Sequence, residues 1–324
     1  LYDLRGQNFD TPIGDCHEIW NKLGELHENF VRWHWDKAGR SLDLQTPELF
    51  SEKIEWLKLN DHRELYIQFC DKLAVRDYVL ERTGDPCIFN KIYGSYDRAE
   101  NIPIDKMPDK FVVKANHFSG GNLICHQDTL KRLECRDMLN KYVESIYSFD
   151  GGEWPYWHVK PKLLVEEYLE DQFSQLVDYK VFCFEGEPRI VMVCMDRNTD
   201  TKKLYLDTNW KVQPFMDSKY SKIRSGLSVE FPRPESLDKM LNYANILAYG
   251  TAFLRVDFYD LFGECRFGEL TLYPEGGVGE GVNFVPDEWN YTLGKWLKIP
   301  PPCSQRSVAY GIDNETIRRL NLHI

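Results

Sequence analysis

Apolar positions recur at helical spacing through the first hundred residues. Between residues 17 and 38, Ile19, Leu23, Leu26, Phe30 and Val31 fall on one stripe, and Gly39 can end that helix. Thr46 and Pro47 mark a second start, with proline at the first helical position, and Ile54, Leu57 and Leu59 follow. Asp71 is placed to cap a third helix that runs through Arg82 and stops at Gly84. From Phe111 the texture changes. Residues 111–114 read as a strand, 117–121 as a loop, and 128–147 as a helix carrying Leu130, Leu133, Leu139, Tyr142, Val143 and Ile146. A loop rich in glycine and tryptophan spans 148–161. Strands are predicted at 163–169, 178–184 and 189–195, a helix at 234–249, a hairpin at 253–272, and a linker at 300–302 before a short final helix. The pattern is α+β: a helical N-terminal lobe (1–105), a small lobe (106–170) and a C-terminal lobe (171–324).

Composition narrows the possibilities. The chain has 324 residues, 43% of them hydrophobic, enough for a substantial core. No apolar run is long enough to span a membrane. The net charge of -11 argues against a nucleic-acid partner, which needs a basic footprint. Nine scattered cysteines without a CxxC pair read as free thiols in a reducing compartment. The expected location is the cytoplasm, with peripheral attachment to the inner face of the membrane as the alternative. The first residue is Leu1, and the expectation is a domain of a longer polypeptide.

The hairpin carries the candidate chemistry. Alternation puts Arg255 and Asp257 on one face of its first strand, and Glu269 and Thr271 on one face of its second. If the hairpin is symmetric about Gly263, Asp257 pairs with Glu269, and Arg255 with Thr271. Two carboxylates set opposite each other destabilise a sheet unless a cation lies between them. Mg2+ takes one or two carboxylates plus phosphate oxygens, so it fits such a pair. The competing reading is a solvated strand face. A second candidate is Lys114 at a strand end followed by Ser119, Gly120 and Gly121, where backbone N–H groups can approach a phosphate. An ordinary strand-to-turn explains it equally well. Neither GxxxxGK[ST] nor GxGxxG is present. His117, Ser119, Trp154, Trp157, His158, Lys160 and Arg197 are candidates for a substrate site, with Lys58, His62 and Arg63 behind them.

Six stretches in order, 50–58, 71–76, 111–117, 166–169, 178–184 and 267–271, resemble the ATP-grasp superfamily, and within it the TupA-like branch linked to teichuronopeptide and cell-surface polysaccharide synthesis. The resemblance implies two α+β lobes clasping ATP, with Mg2+ as cofactor. It implies that Arg76, Lys114 and Arg255 meet the phosphates, with Lys114 and Arg255 assisting catalysis, and that Ser119, Gly120 and Gly121 cover them. Glu166, Glu167, Tyr168 and Leu169 match the hinge that reads adenine, and Asp178, with Lys180 on the same face, matches the ribose-binding acid. Asp257 and Glu269 match the Mg2+ ligands, with Thr271 where the superfamily usually has asparagine, and Glu275 and Gly276 lie in a loop bordering substrate. The implied reaction joins a carboxylate to an amine through an acylphosphate. The expected carboxylate is a hexuronic acid, free, nucleotide-linked or on a glycan; the expected amine is an amino acid or small amino alcohol. Fusion to another polysaccharide-assembly domain is expected. Rival readings are a glycosyltransferase or sugar-binding module, a small-molecule kinase, and a non-catalytic nucleotide-binding domain. The chain has no Asp-x-Asp, which weakens the first.

Overall fold

The computed structural model describes residues 42–145, 147, 152–173, 176–195, 201–218, 231–277 and 280–300, together with Arg32. Two antiparallel sheets dominate. The smaller contains β1 (Ile92–Tyr96), β2 (Lys110–Ala115), β3 (Asn122–His126) and β4 (Leu163–Glu167) in the order β1-β4-β2-β3. The larger contains β5 (Asp178–Phe184), β6 (Glu187–Met195), β7 (Lys202–Asp207), β9 (Phe253–Leu261) and β10 (Glu264–Thr271) in the order β10-β9-β5-β6-β7. A two-stranded pair joins β8 (Met216–Asp217) to β11 (Phe284–Val285).

Alternation along β2 decides which side chains face the cleft between the lobes. Phe111, Val113 and Ala115 are fully buried, and Phe111 and Val113 join Leu130 and Leu139 in the core under the small sheet. Those leucines come from α4 (Gln127–Lys131) and α5 (Leu133–Glu144). Val112 and Lys114, on the other face, are half-buried. Truncating Leu139 to alanine should cost about 2–5 kcal/mol, the usual range for a buried leucine.

Every residue of β5 is buried. Cys183 faces α6 (Leu237–Ala248), with its Sγ 3.7 Å from the Ala244 carbonyl. The alternate residues Asp178, Lys180 and Phe182 therefore face the other side, and two of them are charged. A charge in a buried strand is stable only when paired. Three helices, α1 (Phe50–Asn60), α2 (Leu65–Cys70) and α3 (Val75–Thr83), precede the small sheet, and α7 (Glu288–Trp296) packs back on α1.

Several expectations need correction. The helix expected from Pro47 begins at Phe50, because the Glu52 carboxylate accepts from the Glu48 and Leu49 N–H groups. The helix expected from Asp71 begins at Val75, and Asp71 instead holds a turn by accepting from Leu73 N–H. It does end at Gly84, in the left-handed conformation with φ +66°. Residues 92–96, inside the stretch read as helical, form the strand β1 that pairs with β4. The helix expected over 128–147 breaks at Arg132, which is extended. Strands β3, β7, β8 and β11 and helices α2 and α7 have no counterpart among the elements expected from the sequence. The helix expected over 17–38, apart from Arg32, and the final helix lie outside the described residues.

Candidate active site

The hairpin pairs Asp257 with Glu269 and Arg255 with Thr271, but not through symmetry about Gly263. Phe262 and Gly263 form a two-residue turn with φ +54° and +88°, the left-handed pair that suits the twist of a tight hairpin. Glu264 then pairs with Leu261, and Phe267 with Phe258. A bulge at Gly268 adds one residue and brings Glu269 opposite Asp257. A Cβ at Gly268 would lie 3.0 Å from the Asp257 carbonyl oxygen, so glycine permits the close approach.

The opposed carboxylates are neutralised by the protein itself. Arg255 donates from Nε to Asp257 Oδ1 at 2.7 Å and from Nη2 to Asp257 Oδ2 at 2.7 Å. The same Nη2 reaches Glu269 Oε1 at 3.0 Å and Thr271 Oγ1 at 2.9 Å. From β5, opposite Asp257 in register, Lys180 Nζ forms an ion pair with Asp257 Oδ2 and lies 3.7 Å from Asp178 Oδ2. Burial works against the charge on Asp257, but Arg255 and Lys180 outweigh it and hold its carboxyl down to about 2. Burial likewise opposes the charges on Lys180 and Arg255, yet the adjacent acids raise both above their ordinary values. Charge conflict on the strand face therefore gives no independent argument for a metal: two resident cations remove it.

The opposite wall comes from the small lobe. Lys114 reaches back to an ion pair with Glu166, two residues along the neighbouring strand. Ser119 and Gly120 are exposed at the loop tip, where Gly120 has φ +80° and open space around it. The Ala115 N–H donates to the Gly121 carbonyl and closes the loop. Lys72 donates to the Phe118 carbonyl at 2.5 Å and so anchors the loop's first turn. Burial pushes the Lys72 ammonium down, against the pull of Glu269 and Glu166. Arg76 stacks its guanidinium 4.3 Å from the Phe89 ring centroid and donates to the Asn90 carbonyl.

A sequence model of TupA-like ATP-grasp proteins matches residues 52–298. The chain belongs to the TupA-like ATP-grasp family. No curated protein matches it. Among solved structures, it is similar to the D-alanine–D-alanine ligase of Bacillus anthracis. The ATP complex of that protein is 17% identical over 64% of this chain and 56% of that one, with a TM-score of 0.37. A second structure of it is 13% identical over 85% and 91%, with a TM-score of 0.43. An N5-carboxyaminoimidazole ribonucleotide synthetase in its ADP complex is 12% identical over 78% and 57%, with a TM-score of 0.43. The chain thus spans little more than half the length of two of these three structures.

In this TupA-like ATP-grasp chain one cleft brings together most of the expected nucleotide residues. Arg76, Lys114, Ser119, Gly120, Glu166, Asp178, Lys180, Asp257 and Glu269 all line it. Arg255 stands behind the two acids, and Thr271 donates to Glu269 Oε1 at 3.2 Å. The side chains of Glu167, Tyr168 and Leu169 do not line the cleft: Glu167 accepts from Lys91 N–H, and Tyr168 lies under the Lys110 ammonium. Gly121 is also away from it, against Phe118 and Tyr142.

Among the described residues, none of the expected substrate residues outside the glycine loop lines this cleft. His117 is fully buried, its Nε2 3.1 Å from the Ser145 carbonyl. Trp154 is fully buried edge-on to His62. His158 packs on Trp154, and Lys160 is exposed. Glu275 pairs with Lys203 at 3.5 Å, and the Gly276 carbonyl accepts from Lys58. Arg197 lies outside the described residues. Buried packing, not ligand contact, accounts for His117 and Trp154, since an aromatic ring in an apolar setting gives the same sequence signal either way.

Lys72 and Asn90 are cleft residues that the sequence reading passed over. Lys72 falls inside the Asp71-to-Arg76 block but was passed over in favour of Arg76. Asn90 follows no motif. Its Oδ1 is buried without a partner, an acceptor left over in the cleft wall. Among the described residues no three of His, Cys, Asp and Glu cluster for a metal. Two carboxylates with neighbouring cations fit Mg2+ arriving with phosphate oxygens rather than a metal held by protein alone. The cleft, the orphaned Asn90 oxygen and the cationic wall fit an Mg-nucleotide.

Proposed function

We propose that this chain is an ATP-dependent carboxylate–amine ligase. Its carboxylate substrate is a hexuronic acid, as a nucleotide sugar or on a glycan. Its amine is an amino acid or small amino alcohol, in capsular or cell-surface polysaccharide synthesis. The observation that carries the nucleotide part is the single cleft in which Asp257 and Glu269 face Lys114, Lys72 and the Ser119–Gly120 tip. The family supports the ligase part; the choice of uronate rests on the branch's link to surface polysaccharide.

When bound, Mg-ATP supplies the phosphoryl group that turns a carboxylate into an acylphosphate, which an amine then converts to an amide with release of phosphate. The chain's own residues bind and orient. Asp257 and Glu269 would hold the metal, and Thr271 would fix the rotamer of Glu269 rather than serve as a third ligand. Lys114, Lys72 and Arg76 would set the phosphates, with Ser119 and Gly120 closing over them to exclude water. Arg255, bound to both acids from behind, would orient them and add positive charge near the transferred group. Asp178 would accept from the ribose hydroxyls, and the Glu166–Leu169 stretch would border adenine. No serine or cysteine nucleophile is needed. Buried Cys70, beside Lys72, has its thiol pushed well up by burial, which keeps it inert.

The test is a matrix of carboxylates and amines, uronic acids and nucleotide-linked uronates first, scored by ADP release and product mass. ADP that appears only when both a carboxylate and an amine are present supports the reading. Sugar transfer without ATP consumption would overturn it in favour of a glycosyltransferase.

A further inference from the structure

Both oxygens of Asp257 are already engaged by cations. Arg255 takes Oδ1, and Arg255 and Lys180 share Oδ2. Glu269 Oε1 is also engaged, by Arg255 and Thr271. A divalent cation approaching this pair from the cleft meets the Lys180 ammonium on Asp257, with the Arg255 guanidinium behind both acids. Four cations and four carboxylates line the cleft, and Arg255 adds a fifth cation. Bare metal would therefore raise an already positive surplus, whereas nucleotide phosphates would reverse it. Lys180 and Arg255 are not equivalent in this respect. Arg255 is bound to three side chains on two strands. Lys180 has a second acid, Asp178, 3.7 Å away on its own strand, so it can leave Asp257 without becoming an unpaired buried charge.

We propose that Lys180 gates metal loading: it occupies Asp257 while nucleotide is absent, keeps a divalent cation off the Asp257–Glu269 pair, and yields when phosphates bring compensating negative charge. Metal then enters only with nucleotide, and the acids do not bind a free cation in an unproductive state. The inference rests on the reading of the cleft as an Mg-nucleotide site. Lys180 is a positioning residue here, acting through Asp257.

The experiment measures Mn2+ binding by the electron paramagnetic resonance of the free ion, with and without ADP, on the folded full chain. Wild type should bind Mn2+ alone weakly, and ADP should tighten it at least about tenfold, as expected when one unit charge a few ångströms away is compensated. Lys180→Gln, or Lys180→Met if the first variant does not fold, should bind Mn2+ alone at least about tenfold more tightly than wild type. Adding Glu269→Gln should remove that gain, and Lys180→Arg should behave as wild type. Tight binding of Mn2+ alone to wild type, abolished by Glu269→Gln, would overturn the gate without need of any Lys180 variant. So would equal affinities of wild type and Lys180→Gln while ADP still recruits Mn2+. If wild type binds no ADP with or without Mn2+, the nucleotide reading itself fails, and the gate with it.

Discussion

Asp257 and Glu269 stand directly opposite each other on β9 and β10, and one nitrogen of Arg255 is hydrogen-bonded to both, at 2.7 and 3.0 Å. Their environments differ. Asp257 is buried between Arg255 and Lys180, whereas the Glu269 side chain is 40% exposed and opens to the cleft. The two acids therefore respond differently to loss of charge.

Glu269→Gln should remove ATP turnover by about two orders of magnitude or more, with little change in melting temperature, because an exposed acid contributes little to stability. Asp257→Asn should lose turnover to a similar extent and also cost stability, on the order of 3 kcal/mol, since Lys180 and Arg255 stay buried with only Asp178 and Glu269 to offset them. Chemical denaturation beside an ADP-release assay separates the two effects. Near-normal turnover in Glu269→Gln would remove Glu269 from the metal site.

The bulge at Gly268 sets which acid faces which. Gly268→Val would bring a Cβ to 3.0 Å from the Asp257 carbonyl and so force the strands apart or shift the register by one residue. Destabilisation of about 1–3 kcal/mol is expected, as for other overpacked sites, together with loss of nucleotide binding. Titration of a fluorescent nucleotide against the folded variant checks this; unchanged affinity would mean that the register does not depend on the bulge.

Acid should weaken the fold through Asp257. Its carboxyl titrates near 3.8 when unfolded and at about 2 in the fold, held down by Arg255 on its own strand and Lys180 on β5, with Glu269 opposite on β10. A depressed value means that its contribution, on the order of 2 kcal/mol, is fully present above the unfolded value. It is lost as pH falls from about 4 toward about 2. Denaturant midpoints across that range should fall less steeply in Asp257→Asn than in wild type; equal slopes would show that the pair does not govern acid stability.

Lys72→Met should weaken nucleotide binding at least about tenfold, as expected for a charge-assisted phosphate contact, because it removes a half-buried cation from the cleft and unties the glycine loop at Phe118. Isothermal titration with ADP and Mg2+ measures it. An unchanged affinity would confine Lys72 to holding the loop.

The sequence made the strands legible where alternation was strict. Residues 111–114, 178–184 and the hairpin follow period two, and the cleft residues on them were found. Lys180 could be placed on one face with Asp178, and Asp257 on one face with Arg255, but the two strands could not be paired, because cross-strand neighbours in a non-hairpin sheet depend on chain order that periodicity does not carry. The bulge at Gly268 was invisible for a related reason: a glycine in a strand pattern signals close approach without saying to what. Strand β1 was missed because Ile92, Gly94 and Ser95 lack an apolar alternation, and its place is fixed by β4. His117 and Trp154 are buried in packing, and residue type alone does not distinguish a packed aromatic from one facing a ligand.

Coupling of nucleotide consumption to carboxylate activation is tested most directly by trapping. Wild type, ATP, Mg2+ and a panel of uronic acids and nucleotide-linked uronates are combined with hydroxylamine as the amine. At least one carboxylate should yield a hydroxamate and ADP in equal amounts, and Glu269→Gln should yield neither. ADP formed with a phosphorylated hydroxyl product and no hydroxamate would contradict the ligase account and point to a kinase.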